Sequence, residues 1–168
     1  MTKDQVEFVL KELKIKEKLC LFSVEKGFSY SGPLNMKRLE VQDAHWIKLE
    51  AVLNMDCEHL RLLHTSLSYK DLNAIVKKWM DGGMEKLKEI RVMYFNPVPR
   101  ASRDTKLNWI LEGIDTFPWD ANNRPEMISE FNCKDGRDIR RSDGTIATVN
   151  QVKDTFIFHI WNSLSVDQ

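Results

Sequence analysis

The sequence predicts a mixed α/β fold: short parallel strands joined through helices, stacked as a strand–helix solenoid, and continued by a C-terminal hairpin and antiparallel extension. Three observations carry this expectation. An apolar-x-x-apolar-x-apolar pattern returns at Met36-Leu39-Val41, Cys57-Leu60-Leu62 and Leu87-Ile90-Val92. Between the second and third copies lies a stretch with helical spacing and a signal at each end. Beyond Pro125, alternating runs flank Asp143-Gly144, a strong short-range hairpin signal.

In chain order, Asp4 to Lys14 reads as an amphipathic helix with Val6, Val9, Leu10 and Leu13 on one side. Lys and Glu are mixed on its outer face, which fits packing on a core better than lying on a lipid surface. Lys18 to Ser23 is extended, Ser31-Gly32-Pro33 is a turn, and Met36 to Val41 is a strand. Ala44 to Asn54 is a short helix carrying Trp46, Leu49 and Leu53, and Cys57 to Leu63 is the next strand. Ser68 stands as a helix cap with Asp71 as the reciprocal member of a capping box. Leu72, Ile75, Val76 and Trp79 then follow at the spacing of one buried helical face, and Gly82-Gly83 ends the helix. Leu87 to Phe95 alternates as a half-buried strand does.

Asn96 to Arg100 blocks continuation of strand or helix through its prolines. A helix resumes over Thr105 to Glu112, with Leu107, Ile110 and Leu111 inward and Gly113 at its end. Phe117 to Pro125 is a loop, the chain is extended from Met127, Ser142-Asp143-Gly144 is a turn, and Thr155 to Trp161 is a final aromatic strand. Two regions result: residues 1–95, the leucine-rich-repeat-like strand–helix units, and residues 96–168, a helix plus β extension packed with the first as one unit.

The three copies of the pattern start at 36, 57 and 87, so the steps are 21 and 30 residues. A strand–helix unit leaves one apolar face open and buries it by stacking on its neighbour, which is the physics of a leucine-rich-repeat solenoid. Uneven steps leave a small irregular α/β layer as the alternative. Strand side chains alternate, so if Leu19/Leu21, Leu39/Val41, Leu60/Leu62 and Ile90/Val92 share one interior, their neighbours face away. One outward column is Phe22, Gln42, Leu63 and Met93; the next is Cys20, Glu40, Arg61 and Arg91. An apolar column beside arginines resembles a protein-binding surface. The candidate partner-binding residues are therefore Phe22, Glu40, Arg61, Leu63, Arg91 and Met93. The competing expectation is that the C-terminal strands or the Asn96–Arg100 loop fold over this face, since Phe156, Phe158 and Trp161 need burial.

Composition narrows the function classes. The 168 residues are 42% hydrophobic, enough for one core, and 25 Lys and Arg balance 25 Asp and Glu. Zero net charge argues against broad electrostatic capture of nucleic acid or anionic membrane. No secretory start is visible, and no apolar run approaches the roughly 20 residues that span a bilayer. Three scattered cysteines suit a reducing cytoplasmic or nuclear setting better than a disulfide framework.

Catalytic and metal readings are weak. Cys57, His59 and His64 lack further ligands for zinc, and Cys133 with His159 would pair only by spatial accident. Asp120, Asn122 and Asn123 lack the glycine and distal glutamate of a calcium loop. Asp138, Arg140, Arg141 and Asp143 are expected to order a hairpin locally. No catalytic, cofactor-binding or metal-ligating residue is expected.

The run Ser68-x-x-Asp71-Leu72-Asn73 followed by Lys77–Gly83 resembles the F-box-associated domain (second type) of nematode F-box proteins. Gly136 to Val149 looks like that family's Asp-Ile-Arg-Arg-x-Asp-Gly signature, and the likeness runs roughly from Cys57 to Trp161. The resemblance implies a substrate-recognition module of a Skp1–cullin–F-box ubiquitin ligase, in which an F-box binds Skp1 and the following region holds a target protein. Two departures stand out. No F-box pattern of Leu-Pro followed by a helical bundle is visible, and the family's Asn-Pro after the glycines is replaced by Met84-Glu85. Skp1 is thus an expected partner only with an F-box upstream. A stand-alone protein-interaction domain is the alternative, and a small Cys/His-dependent enzyme a distant third.

Overall fold

Four short segments rich in leucine and valine pair in the order in which the chain makes them. The computed structural model describes residues 1–13, 15–93, 100–122, 124–128 and 131–161. Strands β1 (Lys18–Leu21), β2 (Arg38–Val41), β3 (His59–Leu62) and β4 (Glu89–Met93) are parallel and adjacent. Their register puts Leu19 beside Leu39, Leu39 beside Leu60, and Leu60 beside Ile90, with Leu21, Val41, Leu62 and Val92 forming the next rung. The start of each repeat, Met36, Cys57 and Leu87, is buried as the pattern requires.

The helices cover one side of these rungs: α1 (Lys3–Lys11), α2 (Leu49–Leu53), α3 (Tyr69–Met80) and α4 (Arg103–Ile110). Helix α3 forms where its signals stand. The Ser68 hydroxyl accepts from the Asp71 amide at 3.2 Å, and the Ser68 amide donates to the Asp71 carboxylate at 2.7 Å. Leu72, Ile75, Val76 and Trp79 are its buried face. Gly82, at φ +88°, supplies the left-handed residue that turns the chain out of the helix.

Helix boundaries differ from expectation in three places. α1 starts on a capping box of Thr2 with Gln5. α4 starts on Ser102 and ends at Ile110, earlier than Thr105–Glu112 at both ends. α2 keeps only Leu49–Leu53 of the expected Ala44–Asn54. The physical reason lies in backbone groups already engaged elsewhere. The Ala44 amide donates to the Leu63 carbonyl at 2.8 Å, and Tyr30 bridges the next residues through Tyr30 N–H to Trp46 O (2.8 Å) and Lys48 N–H to Tyr30 O (3.0 Å). Trp46 sits in an aromatic cluster, 5.2 Å from Phe28 and 6.3 Å from Tyr30 between ring centres.

The C-terminal part continues the same sheet. Beside β4 lies antiparallel β9 (Thr155–Ile160), then β8 (Ile146–Val152) and β7 (Arg137–Arg140), giving seven strands in the order β1-β2-β3-β4-β9-β8-β7. A two-stranded hairpin, β5 (Met127–Ile128) with β6 (Phe131–Asn132), stands apart from it. The β7–β8 turn uses Gly144 at φ +89°, and Arg141 and the Thr145 amide both bond the Asp143 carboxylate. Phe156 and Phe158 pair with Val92 and Ile90, so both enter the helix-side core, where Phe158 meets Trp79 edge-on at 5.3 Å. One core runs from Val6 to Ile160. Among the described residues the architecture is mixed α/β, with a seven-stranded open sheet and a separate two-stranded one. The expected ends of β4, Tyr94 and Phe95, and positions 96–99 of the Asn96–Arg100 loop lie outside the described residues.

Candidate partner surface on the outward sheet face

Because the rungs align, the residues between them also align, on the side away from the helices. One outward rung runs Lys18, Arg38, His59, Glu89, His159, Thr148, Asp138 across all seven strands. The next runs Cys20, Glu40, Arg61, Arg91, Ile157, Asn150. The face divides in two: part of it is covered, but by residues between Phe117 and Cys133 rather than by the strand of Phe156 and Phe158, which enter the helix-side core instead.

Over β4, β9, β8 and β7 the face is covered. Ile157, Asn150, Thr148 and Asp138 are all at most 4% exposed. The cover comes from described residues between Phe117 and Cys133. Phe117 pairs by backbone with Asp138, N–H to O at 2.7 Å and O to N–H at 3.0 Å. The Asn150 amide donates to the Asn132 carbonyl at 2.7 Å, and the Phe131 ring lies 4.3 Å from the Arg91 guanidinium. Beneath the cover a polar chain links the strands. Arg124 forms an ion pair with Asp138, whose other oxygen accepts from the Thr148 hydroxyl at 2.6 Å. Trp161 donates its indole N–H to Thr148 at 2.8 Å and meets His159 edge-on. His159 reaches Glu89 at 3.2 Å, and Arg91 donates to the other Glu89 oxygen at 2.5 Å.

Over β1, β2 and β3 the face is open among the described residues. Phe22 is 72% exposed, and the Cys20 thiol is exposed. Glu40 lies between Lys18 (3.9 Å) and Arg61 (3.5 Å) and accepts from Gln42 at 3.4 Å. A shallow groove of about 150 Å³ runs between Lys18, Arg38, Glu40, His59, Arg61 and Glu89. Of the six expected partner residues, Phe22, Glu40 and Arg61 therefore stand on the open half. Leu63 and Met93 are half-buried, and Arg91 is held between Glu89 and Phe131.

Burial pushes the Cys57 thiol up to about 11, and it donates to the Leu34 carbonyl at 3.3 Å. Burial also raises Cys133, and burial with the nearby Arg38 charge lowers His59. Asp138 departs from its expected role: its carboxylate bonds Arg124 and Thr148 beneath the cover, while Arg141 and Asp143 order the hairpin.

Glu89, half-buried on β4, lines the far side of the groove. Burial pushes its carboxyl up, but hydrogen bonds from His159 and Arg91 outweigh burial and hold it at about 2. A carboxyl depressed in the folded state contributes stability above its unfolded value near 4.5, and that contribution disappears as pH falls toward the folded value. The expected result is a loss of about 2–3 kcal/mol between about pH 5 and pH 2 from this group alone. Glu89→Gln flattens that slope in urea titrations run across the same range.

The covered half shows what pattern reading misses. Arg124, Phe131 and Asn132 sit in sequence without periodicity and act on strands reached later in the chain. One signal was present: Phe156, Ile157 and Phe158 are consecutive and apolar, as in a strand buried on both faces.

Residues 28–92 match the family model described as F-box associated. The match contains the Ser68–Gly83 stretch and begins well before Cys57; it ends at Val92, so Gly136 to Val149 lies outside it. An uncharacterized protein of Caenorhabditis elegans is 25% identical over 170 residues, covering 93% of this chain and 38% of that protein. The E3 ubiquitin-protein ligase hecw-1 of Caenorhabditis elegans is 36% identical over 66 residues, covering 38% of this chain and 5% of that protein. The chain thus spans well under half the length of either relative. No solved structure matches it.

Proposed function

We propose that this chain, whose residues 28–92 match the F-box associated family, is a protein-binding module that holds a target, as a substrate-recognition region of an F-box protein does. The observation that carries the reading is the division of the outward face. Among the described residues, the outward face is covered over four strands and uncovered over three, with a 72% exposed phenylalanine just past the end of the edge strand. Large exposed aromatics beside charged groups are typical of protein interfaces. In the finer form of this reading, the parallel half is a leucine-rich-repeat-like stack whose outward side serves as the gripping surface. The chain is then not an enzyme, and it works in the reducing cytoplasm or nucleus.

The ligase connection rests on the family match, with the ubiquitin ligase relative as weaker support. Skp1 enters as a partner only through an F-box, so purified Skp1 is expected to leave this chain unbound in a pull-down. A stand-alone interaction domain with no ligase link is the second reading. Capture of Skp1 by the chain alone would reject that second reading.

Phe22→Asp tests the surface itself. With the side chain already in water, the substitution is expected to change the melting temperature little, since exposed changes stay within about 0.5 kcal/mol. Partner binding is expected to fall at least about tenfold, the loss typical of an aromatic anchor. Leu63→Asp has the same expected effect on binding but a less clean stability control, because Leu63 is half-buried. Unchanged binding by Phe22→Asp would move the partner site elsewhere.

A further inference from the structure

On the open half of the face, cations outnumber the carboxylates available to neutralise them. Lys18, Arg38 and Arg61 stand on three neighbouring strands, with Glu40 as the carboxylate between Lys18 and Arg61. Glu89, at the groove's far wall, is already engaged by Arg91 and His159. Arg38 is exposed and has no carboxylate at ion-pairing distance among the described residues. The chain as a whole is balanced at 25 cationic and 25 anionic residues, so this local excess is a property of the site.

Position adds a spacing to the sign. Phe22 follows the last residue of β1, four residues after Lys18, and Arg38 stands directly beside Lys18. Four residues of strand span about 13 Å at roughly 3.3 Å per residue. Resting on the protein-binding reading above, we infer that the partner segment is an extended acidic peptide. It lays an apolar side chain on Phe22 and, about four residues away, an Asp or Glu carboxylate on Arg38 and Lys18. The arginine fork suits a carboxylate, and a solvent-exposed pair of this kind adds selectivity and salt sensitivity more than raw affinity.

The test uses the full chain and a display library of random peptides of about twelve residues with no charge bias. Selected peptides are synthesised and titrated by fluorescence anisotropy. In parallel, alkylation of the exposed Cys20 by N-ethylmaleimide is timed with and without peptide; Cys57 and Cys133 are buried. The expected peptides are rich in Asp and Glu, slow Cys20 alkylation, and bind Arg38→Glu about tenfold more weakly at low salt. Replacing the peptide's acid by Lys restores binding to Arg38→Glu. Lys18→Glu carries the same expectation if Arg38→Glu does not fold. Peptides that shield Cys20 yet carry no acidic excess and ignore both charge reversals overturn the inference while leaving the surface reading intact. Peptides that leave Cys20 unshielded, or a library that yields no binder, overturn the inference and count against the surface as well.

Discussion

Trp79→Ala is expected to lower the free energy of unfolding by about 3–5 kcal/mol, the range for emptying a fully buried aromatic site. Trp79 is 1% exposed and closes the buried face of α3. Its ring meets Phe158 of β9 edge-on at 5.3 Å, and the Arg141 guanidinium lies 4.9 Å from its centre. One side chain thus joins a helix of the parallel half to a strand and a hairpin of the antiparallel half. Its removal takes away apolar burial, an aromatic contact worth about 1 kcal/mol beyond area, and the cation seated on the ring. Trp79→Phe keeps part of the burial and is expected to cost clearly less. Urea denaturation followed by circular dichroism measures both. A loss below about 1 kcal/mol for Trp79→Ala would mean that α3 does not seat against β9.

Asp138→Ala is expected to cost a similar amount, about 3–5 kcal/mol, for a different reason. The Asp138 side chain is 3% exposed and that of Arg124 is 7% exposed, so removing the carboxylate leaves a buried guanidinium without its counter-charge and the Thr148 hydroxyl without its acceptor. The intact pair is expected to contribute little net stability. Burial pushes the Asp138 carboxyl up despite the opposing pull of Thr148 and Arg124, the direction expected where desolvation opposes the attraction. A double change, Asp138→Leu with Arg124→Met, removes both charges and is expected to recover most of the loss. Equal losses for the single and double variants would show that the cover is held by the polar chain's geometry rather than by charge balance.

The parallel half was legible because its determinants are local. Three copies of one apolar pattern set the register of Leu39, Leu60 and Ile90, and a capping box with a terminal glycine set α3. The shortening of α2 was not legible, since the amides of Ala44 and Lys48 are taken by carbonyls of Leu63 and Tyr30, partners distant in sequence. The candidate surface was legible as a face but not as half a face. Alternation tells which side chains point outward, whereas what lies over them depends on Phe131, Asn132 and Arg124, which no period connects to the strands they cover.

Thiol labelling along the second outward rung compares its open and covered ends in one experiment. Cys20 and Arg61 are exposed while Ile157, on the same rung, is 4% exposed. In native buffer, alkylation at Cys20 and at the position of an Arg61→Cys variant should approach the rate of a free thiol. In an Ile157→Cys variant made in a Cys20→Ser background, labelling should be slower by about a hundredfold, set by local opening of the cover. Equal rates at all three positions would contradict the divided face, and with it the reason for placing the partner over β1 to β3.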